Sequence, residues 1–340
     1  MFKNSASIMF FITLASGVMI TISSNSWLGA WMGLEINLLS FIPILMNNNN
    51  VFTTEAALKY FLIQALASSS FLFFILMEIL FKKITLNSND FMITLLISSP
   101  LMMKSGIAPL HWWFPSVMEG LNWMNCLIMM TLQKIAPIIL LSLLLNNILM
   151  NLISLTSILF GSIGGMNQLS IRKIMTYSSI NHIGWMMSAL MIGENLWIFY
   201  FTIYSMMSIT FISAIKLLNI SFINQISMLN NNLWTPKFMI FSLLLSLGGL
   251  PPFLGFLPKW IIIQILINNC MTFQATFMVV LSLITLYYYL RMCYSSFMIL
   301  HSEPSWNMLT KMNNTPLNYS WLLLTSLLGL LLTPITIMFM

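Results

Sequence analysis

Charged residues are scarce in this 340-residue chain, at 6%, whereas 59% of its residues are hydrophobic and its mean hydropathy is +0.91. A soluble domain carries about 25% charged residues, so this chain has too few to cover a soluble surface. The same scarcity excludes intrinsic disorder, which requires much charge and few apolar residues. An all-α polytopic membrane protein remains, because a β-barrel would alternate apolar and polar residues over segments of about ten.

Motifs for metals and nucleotides are also missing from the sequence. The three histidines lie too far apart to share a helix, which excludes a bis-histidine haem site. Cys126, Cys270 and Cys293 form no CxxC pair and lie in apolar stretches, so we expect small buried side chains. Neither a Walker A sequence nor GxGxxG occurs, and GSIGG at 161–165 is typical of close helix packing. We therefore expect no cofactor and no metal in this chain.

Apolar runs predict about eleven membrane-crossing helices, because a hydrocarbon core about 30 Å thick requires roughly 20 apolar residues per helix. Two of the runs, 91–119 and 236–268, are longer and contain Gly and Pro, in LMMKSGIAPLHWWFP and LSLGGLPPFLGFLPKW. Lipid cannot satisfy the backbone groups that such residues free, so we expect broken helices facing protein or a wet cavity. Two short spans joined by a loop are the alternative in each case. The full set of predicted spans is 5–23, 26–46, 55–81, 91–119, 122–145, 149–168, 174–192, 196–220, 236–268, 272–298 and 320–339.

Basic residues outnumber acidic ones, 13 to 7, which gives a net charge of +6. They are scattered and do not alternate with aromatic residues in a patch, so nucleic-acid binding is not expected. An odd number of crossings puts the termini on opposite sides, and the positive-inside rule then places the N-terminus on the side of the membrane that retains the excess of basic residues. The residues counted on that side are Lys3, Arg172, Lys173, Lys237 and Lys311, with Arg291 nearby, against Lys82 and Lys83 on the other.

Six titratable residues lie in the middle of predicted spans or at the breaks, whereas most charged residues lie in connections or near helix ends. A charge at the centre of a bilayer costs at least about 2.5–3.5 kcal/mol, so these side chains must face inward, pair or be hydrated. We place His111 in the second half of the first broken helix. The six are Glu35, Lys104, His111, Lys134, His182 and Lys259.

Three central lysines oppose a single central glutamate, so neutral ion pairs cannot account for all of them. A buried amine without a counter-charge releases its proton readily, and a neighbouring carboxylate makes it hold the proton again. This combination predicts a proton relay. The alternative is a structural role in which buried pairs only hold the helices together.

The motifs around these residues resemble the antiporter-like, proton-conducting membrane subunits of respiratory complexes, which are related to Mrp-type antiporters. The resemblance extends over most of the chain, and as a set the motifs are highly specific. The matching stretches are NSWLGAWMGLEINLLSFIP at 25–43, EAALKYFLIQALAS at 55–68, KSGIAPLHWWFPSVMEGLNWM at 104–124, LQKIAP at 132–137, GSIGGMNQLSIRKIMTYSSINHIGW at 161–185 and LGGLPPFLGFLPKW at 247–260.

The resemblance implies a fold of two inverted five-helix repeats, each with one broken helix, in a short animal form that lacks the family's first three helices. The repeats would occupy about 5–145 and 149–298, with a C-terminal helix at about 320–339. The breaks would lie around Ala108–Pro109 and Pro251–Pro252. Broken helices in corresponding repeat positions are typical of an ion path.

The resemblance also implies roles for the six residues. Glu35 would pair with Lys104, and Lys134 would be the central lysine of the following helix. His182 would bridge to Lys259 on the exit half. His111, beside Lys104, is the remaining candidate.

The cellular setting is implied in the same way. The chain would belong to the membrane arm of complex I in the mitochondrial inner membrane, beside an antiporter-like neighbour, small membrane subunits and accessory subunits, with lipids such as cardiolipin. FMN, iron–sulfur clusters, NADH and ubiquinone would be bound by other subunits. A stand-alone Mrp-like cation/proton antiporter and a structural spacer of the arm are the alternatives. A longer sister subunit is disfavoured by the length of 340 residues.

Overall fold

A computed structural model describes residues 5–46, 50–84, 90–144, 146–227, 234–251 and 253–297 of the chain. Regular secondary structure within these residues is helical, apart from one isolated bridge between Ser170 and Phe222. The helices are α1 (Ser5–Ser23), α2 (Trp27–Leu45), α3 (Val51–Ile84), α4 (Asp90–Ser105), α5 (Trp113–Gly120), α6 (Trp123–Met130), α7 (Leu132–Ser142), α8 (Asn147–Gly165), α9 (Ile171–Ile192), α10 (Glu194–Leu218), α11 (Ile223–Ser227), α12 (Trp234–Gly248), α13 (Phe256–Asn268) and α14 (Thr272–Phe297).

Seven helical segments in the described residues are long and apolar enough to cross a membrane, and they coincide with seven of the predicted spans. The predicted span 174–192 is also a helix, α9, but its polar residues keep it below that level of hydropathy. Nearly all of α9 is buried by protein, so it does not need an apolar surface against lipid. The predicted span 320–339 lies outside the described residues, and the total of eleven stays a prediction.

The first predicted break is confirmed, since α4 and α5 are separated by residues 106–112. The Ile107 N–H donates to the Met102 carbonyl (3.1 Å), and the Gly106 N–H donates to the Met103 carbonyl (3.3 Å). With Gly106 at φ +70°, these bonds form a Schellman motif, which favours glycine at its left-handed residue. The motif satisfies part of the backbone that the break frees from the helix.

The second predicted break separates α12 from α13 and begins with the same motif. The Leu250 N–H donates to the Leu245 carbonyl (3.3 Å), and the Gly249 N–H donates to the Ser246 carbonyl (3.0 Å). Gly249 is the left-handed residue here, at φ +80°. The KSG and LGG sequences therefore end their half-helices by the same hydrogen-bond pattern.

One further interruption was not expected from the sequence, because the run 122–145 predicts a single helix. It consists of α6 and α7, which are separated at Thr131. The Thr131 hydroxyl donates to the Leu127 carbonyl (2.8 Å), and its φ of −116° and ψ of −80° lie outside the helical region. A threonine bonded back to the preceding turn bends helices. The interruption lies one turn before Lys134.

The chain divides into two compact units, Met1–Ser157 and Ile158–Met340. In the first unit α1 packs along α2, while α3 contacts α2, α4 and α5, and α7 contacts α4. In the second unit α9 contacts α10, α13 and α14. The expected close packing of GSIGG is confirmed there, since a Cβ at Gly161 would lie 2.6 Å from the Asn181 backbone nitrogen of α9.

Candidate functional site

Lys104 lies in the last turn of α4, where its side chain is only 7% exposed. Glu35, in the middle of α2 and half-buried, is the charge that acts on this ammonium. Within the described residues the Lys104 Nζ makes no hydrogen bond, so the coupling to Glu35 is electrostatic and not a direct bond. A buried amine whose charge is balanced at a distance can respond to a change in that carboxylate.

The backbone around Lys104 is held by two side chains from neighbouring helices. The Gln64 amide of α3 donates to the Lys104 carbonyl (3.3 Å). The Trp113 indole of α5 donates to the Met103 carbonyl (3.0 Å), which ties the two half-helices together across the break. Because α4 ends here, its last carbonyls need such donors. Trp113 and Gln64 therefore fix the position of the Lys104 backbone.

Lys134 is the most deeply buried of the lysines, with a side chain 1% exposed in the first turn of α7. Its Nζ lies 5.3 Å from the centroid of the Phe114 ring of α5. An ammonium over an aromatic face is stabilised by the ring quadrupole, more strongly where water is excluded. An aromatic residue that follows the first break thus lies against the Lys134 ammonium.

Uncharged polar side chains form a hydrogen-bonded chain close in sequence to Glu35 and Lys134. This chain was not predicted from the sequence. The Gln133 amide donates to the Asn37 Oδ1 (3.0 Å), and the Tyr60 hydroxyl donates to the Gln133 Oε1 (3.4 Å). Asn37 is two residues after Glu35, and Gln133 directly precedes Lys134. Uncharged polar residues in the middle of apolar spans were the signal that could have found them, because buried amides need partners.

His182 lies in the middle of α9 and is buried, as the sequence predicts. Its Nδ1 is 2.9 Å from the Tyr200 hydroxyl of α10. The Tyr204 ring of the same helix lies 5.0 Å from the imidazole, centroid to centroid. These tyrosines were not among the predicted site residues, because a tyrosine in an apolar span more often indicates packing or an interfacial anchor.

Lys259 lies in the first turn of α13, and its side chain is 5% exposed. Its Nζ donates to the Gly248 carbonyl (2.9 Å) and the Leu247 carbonyl (3.4 Å) at the end of α12. Carbonyl groups at a helix C-terminus attract cations. The Trp185 ring of α9 lies 5.9 Å from the same Nζ, so Lys259 reaches the helix that carries His182.

The predicted position of His111 is wrong in detail. His111 lies in the connection 106–112 between the half-helices and not in the second half-helix, which begins at Trp113. Pro109 lies within this connection, and the residue before a proline is disfavoured in helical geometry, so the helix is interrupted ahead of it. The side chain is half-buried there, and its proposed role beside Lys104 stays a prediction.

The described residues contain no group of three or more His, Cys, Asp or Glu side chains that could hold a metal ion. Cys126 and Cys293 are buried as expected. Cys270 is exposed, contrary to expectation, because it lies in the connection between α13 and α14. Among the six predicted site residues, the fold brings Glu35 and Lys104 of the first unit close enough for the Glu35 charge to act on the Lys104 ammonium.

Comparison with known proteins finds a family model that matches residues 24–285, described as NADH:quinone oxidoreductase/Mrp antiporter, TM. All six predicted site residues lie within that range. The chain is 49% identical over 319 residues to NADH-ubiquinone oxidoreductase chain 2 of Anopheles gambiae, covering 92% of both chains. It is 50% identical over 338 residues to the Aedes aegypti protein of the same name, covering 97% of both.

Solved structures with a similar fold include a chain of a respiratory complex and a chain of an Mrp complex. A chain of respiratory complex I from Thermus thermophilus superposes with a TM-score of 0.80 and 24% identity, over 97% of this chain and 78% of that one. A chain of the Mrp complex from Dietzia sp. superposes with a TM-score of 0.75 and 19% identity, over 87% of this chain and 61% of that one. At these identities the likeness concerns the fold.

Proposed function

Since this chain belongs to the NADH:quinone oxidoreductase/Mrp antiporter family, and within it to the NADH-ubiquinone oxidoreductase chain 2 proteins, we propose that it conducts protons in the membrane arm of complex I. It would lie in the mitochondrial inner membrane, with its N-terminus in the matrix and its C-terminus in the intermembrane space. Proton movement would be driven by electron transfer from NADH to ubiquinone in other subunits, which would also hold FMN and the iron–sulfur clusters. Neighbouring membrane subunits, accessory subunits and cardiolipin would contact the chain.

The observation that carries this proposal is the burial of three lysine side chains in apolar helices: Lys134 lies in a segment long enough to span a membrane, and Lys104 and Lys259 lie in shorter half-helices beside the breaks. Lys104, Lys134 and Lys259 are 7%, 1% and 5% exposed, respectively. Each is held by protein groups: the distant Glu35 charge, an aromatic face, or helix carbonyls. A packing role would be served better by an apolar side chain, because burying a charge is expensive.

We order the relay from Glu35 and Lys104 through Lys134 and His182 to Lys259. A disturbance of the Glu35 charge would release the Lys104 proton, with His111 as a nearby acceptor. Moving one charge against the membrane potential costs about 2.3 kcal/mol per 100 mV, so the relay requires the drive from electron transfer. The inverted repeats at 5–145 and 149–298 and the C-terminal helix at 320–339 are part of this proposal.

Replacing Glu35 with Gln tests the first step. The variant removes the charge that acts on Lys104 and keeps the size and shape of the side chain, with one of its two acceptor oxygens. We expect NADH:ubiquinone turnover and the protons pumped per NADH to fall several-fold in the assembled complex. Both are measured in sealed membranes, with the amount of complex determined on native gels.

Glu55→Gln is the matched control for that experiment. Glu55 is exposed on α3 and forms an ion pair with Lys59, one turn later in the same helix, with 2.6 Å between Oε1 and Nζ. Exposed pairs of this kind contribute little, so turnover and pumping should stay unchanged. Equal pumping by Glu35→Gln and Glu55→Gln would speak against a role for the Glu35 charge. Reduced assembly with normal pumping per NADH would instead favour the structural spacer.

A further inference from the structure

The His182 imidazole is hydrogen-bonded to a hydroxyl group, and the choice of partner has a chemical consequence. Its Nδ1 lies 2.9 Å from the Tyr200 Oη, and both residues are 1% exposed. A backbone carbonyl at that position could only accept, and an ammonium could only donate. A phenol hydroxyl does both, so Nδ1 can remain bonded whether or not it carries a proton.

Further hydroxyl groups lie near Tyr200. The Tyr204 hydroxyl of α10 and the Tyr289 hydroxyl of α14 both act on it electrostatically. Helix α13 also packs against α9 and carries Lys259. The Lys259 Nζ lies against the ring of Trp185, which follows His182 by one turn of α9. Tyr200 thus has the imidazole on one side and phenol groups in its surroundings. A phenol hydroxyl can donate its proton while it accepts another, so Tyr200 can take part in the exchange as a neutral group.

We propose that Tyr200 is a further member of the relay, exchanging a proton with His182 through its hydroxyl; this rests on the proposed function. When Oη passes its proton to Nδ1, the O–H bond breaks and an N–H bond forms. Oη takes a replacement proton from a neighbouring hydroxyl or a water molecule, so no charge stays on the tyrosine. The imidazolium then releases its other proton from Nε2, and one proton has entered for each that leaves.

Tyr200→Phe tests this exchange, because it removes one oxygen atom and keeps the ring. In the assembled complex we expect the protons pumped per NADH to fall several-fold and the solvent deuterium isotope effect on turnover to rise. A purely structural role would lower the amount of complex and leave both quantities unchanged. Tyr287→Phe is the control, since Tyr287 carries the same hydroxyl on α14 but is 56% exposed.

His182→Gln provides a second test, because an amide can still bond the Tyr200 hydroxyl but cannot carry a proton. We expect it to match Tyr200→Phe, and the double variant to be no worse than either, as for two groups acting in one step. Pumping by Tyr200→Phe equal to that of Tyr287→Phe, or additive losses in the double variant, would overturn the proposal. If Lys134→Met lacks pumping while Tyr200→Phe pumps normally, only this inference fails; if both pump normally, the proposed function fails too.

Discussion

Replacing Lys134 with Met is expected to abolish proton pumping by this chain while the complex still assembles. Methionine has a similar length, has no charge, and packs well against aromatic rings such as Phe114, which lies below the Lys134 ammonium. Because the Lys134 side chain is only 1% exposed, a substitute of similar length keeps the space filled. The proposed relay, in contrast, loses the titratable group that stands between Lys104 and His182. We expect turnover to fall about tenfold or more, equivalent to about 1.4 kcal/mol in the barrier.

The measurement for Lys134→Met is proton uptake and NADH oxidation in sealed membranes, normalised to the assembled complex. Lys59→Met is its matched control, since Lys59 is exposed on α3 and forms a surface ion pair with Glu55. That variant should pump normally. Normal pumping by Lys134→Met would contradict a relay through this lysine.

Replacing Gly249 with Ala is expected to disable Lys259 without removing any titratable group. A Cβ at Gly249 would lie 2.9 Å from the Lys259 Cδ and 3.0 Å from its Nζ, so the lysine side chain must shift at its contact with the end of α12. The left-handed φ of +80° adds about 1–2 kcal/mol of strain for a residue with a side chain. We expect a several-fold loss of pumping per NADH, together with a lower melting temperature of the complex.

Gly193→Ala is the control for the second break. Gly193 has an extended backbone at φ 174°, and a Cβ there would meet nothing within 4 Å. Pumping and melting temperature should be unaffected. If Gly249→Ala lowers the melting temperature but pumps normally per NADH, then the contact of Lys259 with the end of α12 has no part in proton transfer.

The two breaks could be predicted because Gly and Pro act through the backbone, and their effect does not depend on distant residues. KSGIAP and LGGLPP therefore located the ends of α4 and α12 correctly. Thr131 carries no such signal, since threonine is tolerated in helices and only its bond to Leu127 reveals the bend. The start of α5 was misplaced for a similar reason, because where a helix resumes after Pro109 depends on packing.

The charged residues of the candidate site could be found from the sequence because a charge in an apolar span is costly wherever it lies. Their partners could not. Gln133, Tyr60 and Tyr200 are ordinary residues in their helices, and only packing shows that they bond to one another or to His182. The coupling of Glu35 to Lys104 was implied by resemblance, whereas the absence of a direct bond required the structure.

The central claim is that buried titratable groups in this chain carry protons through the bilayer. A cryo-EM map of the assembled complex that resolves ordered water tests it most directly. We predict water molecules or polar side chains within hydrogen-bond distance of the Nζ atoms of Lys104 and Lys134, continuing toward His182 and Lys259. Amines that face acyl chains, or that are separated by dry and tightly packed apolar side chains, would contradict the claim.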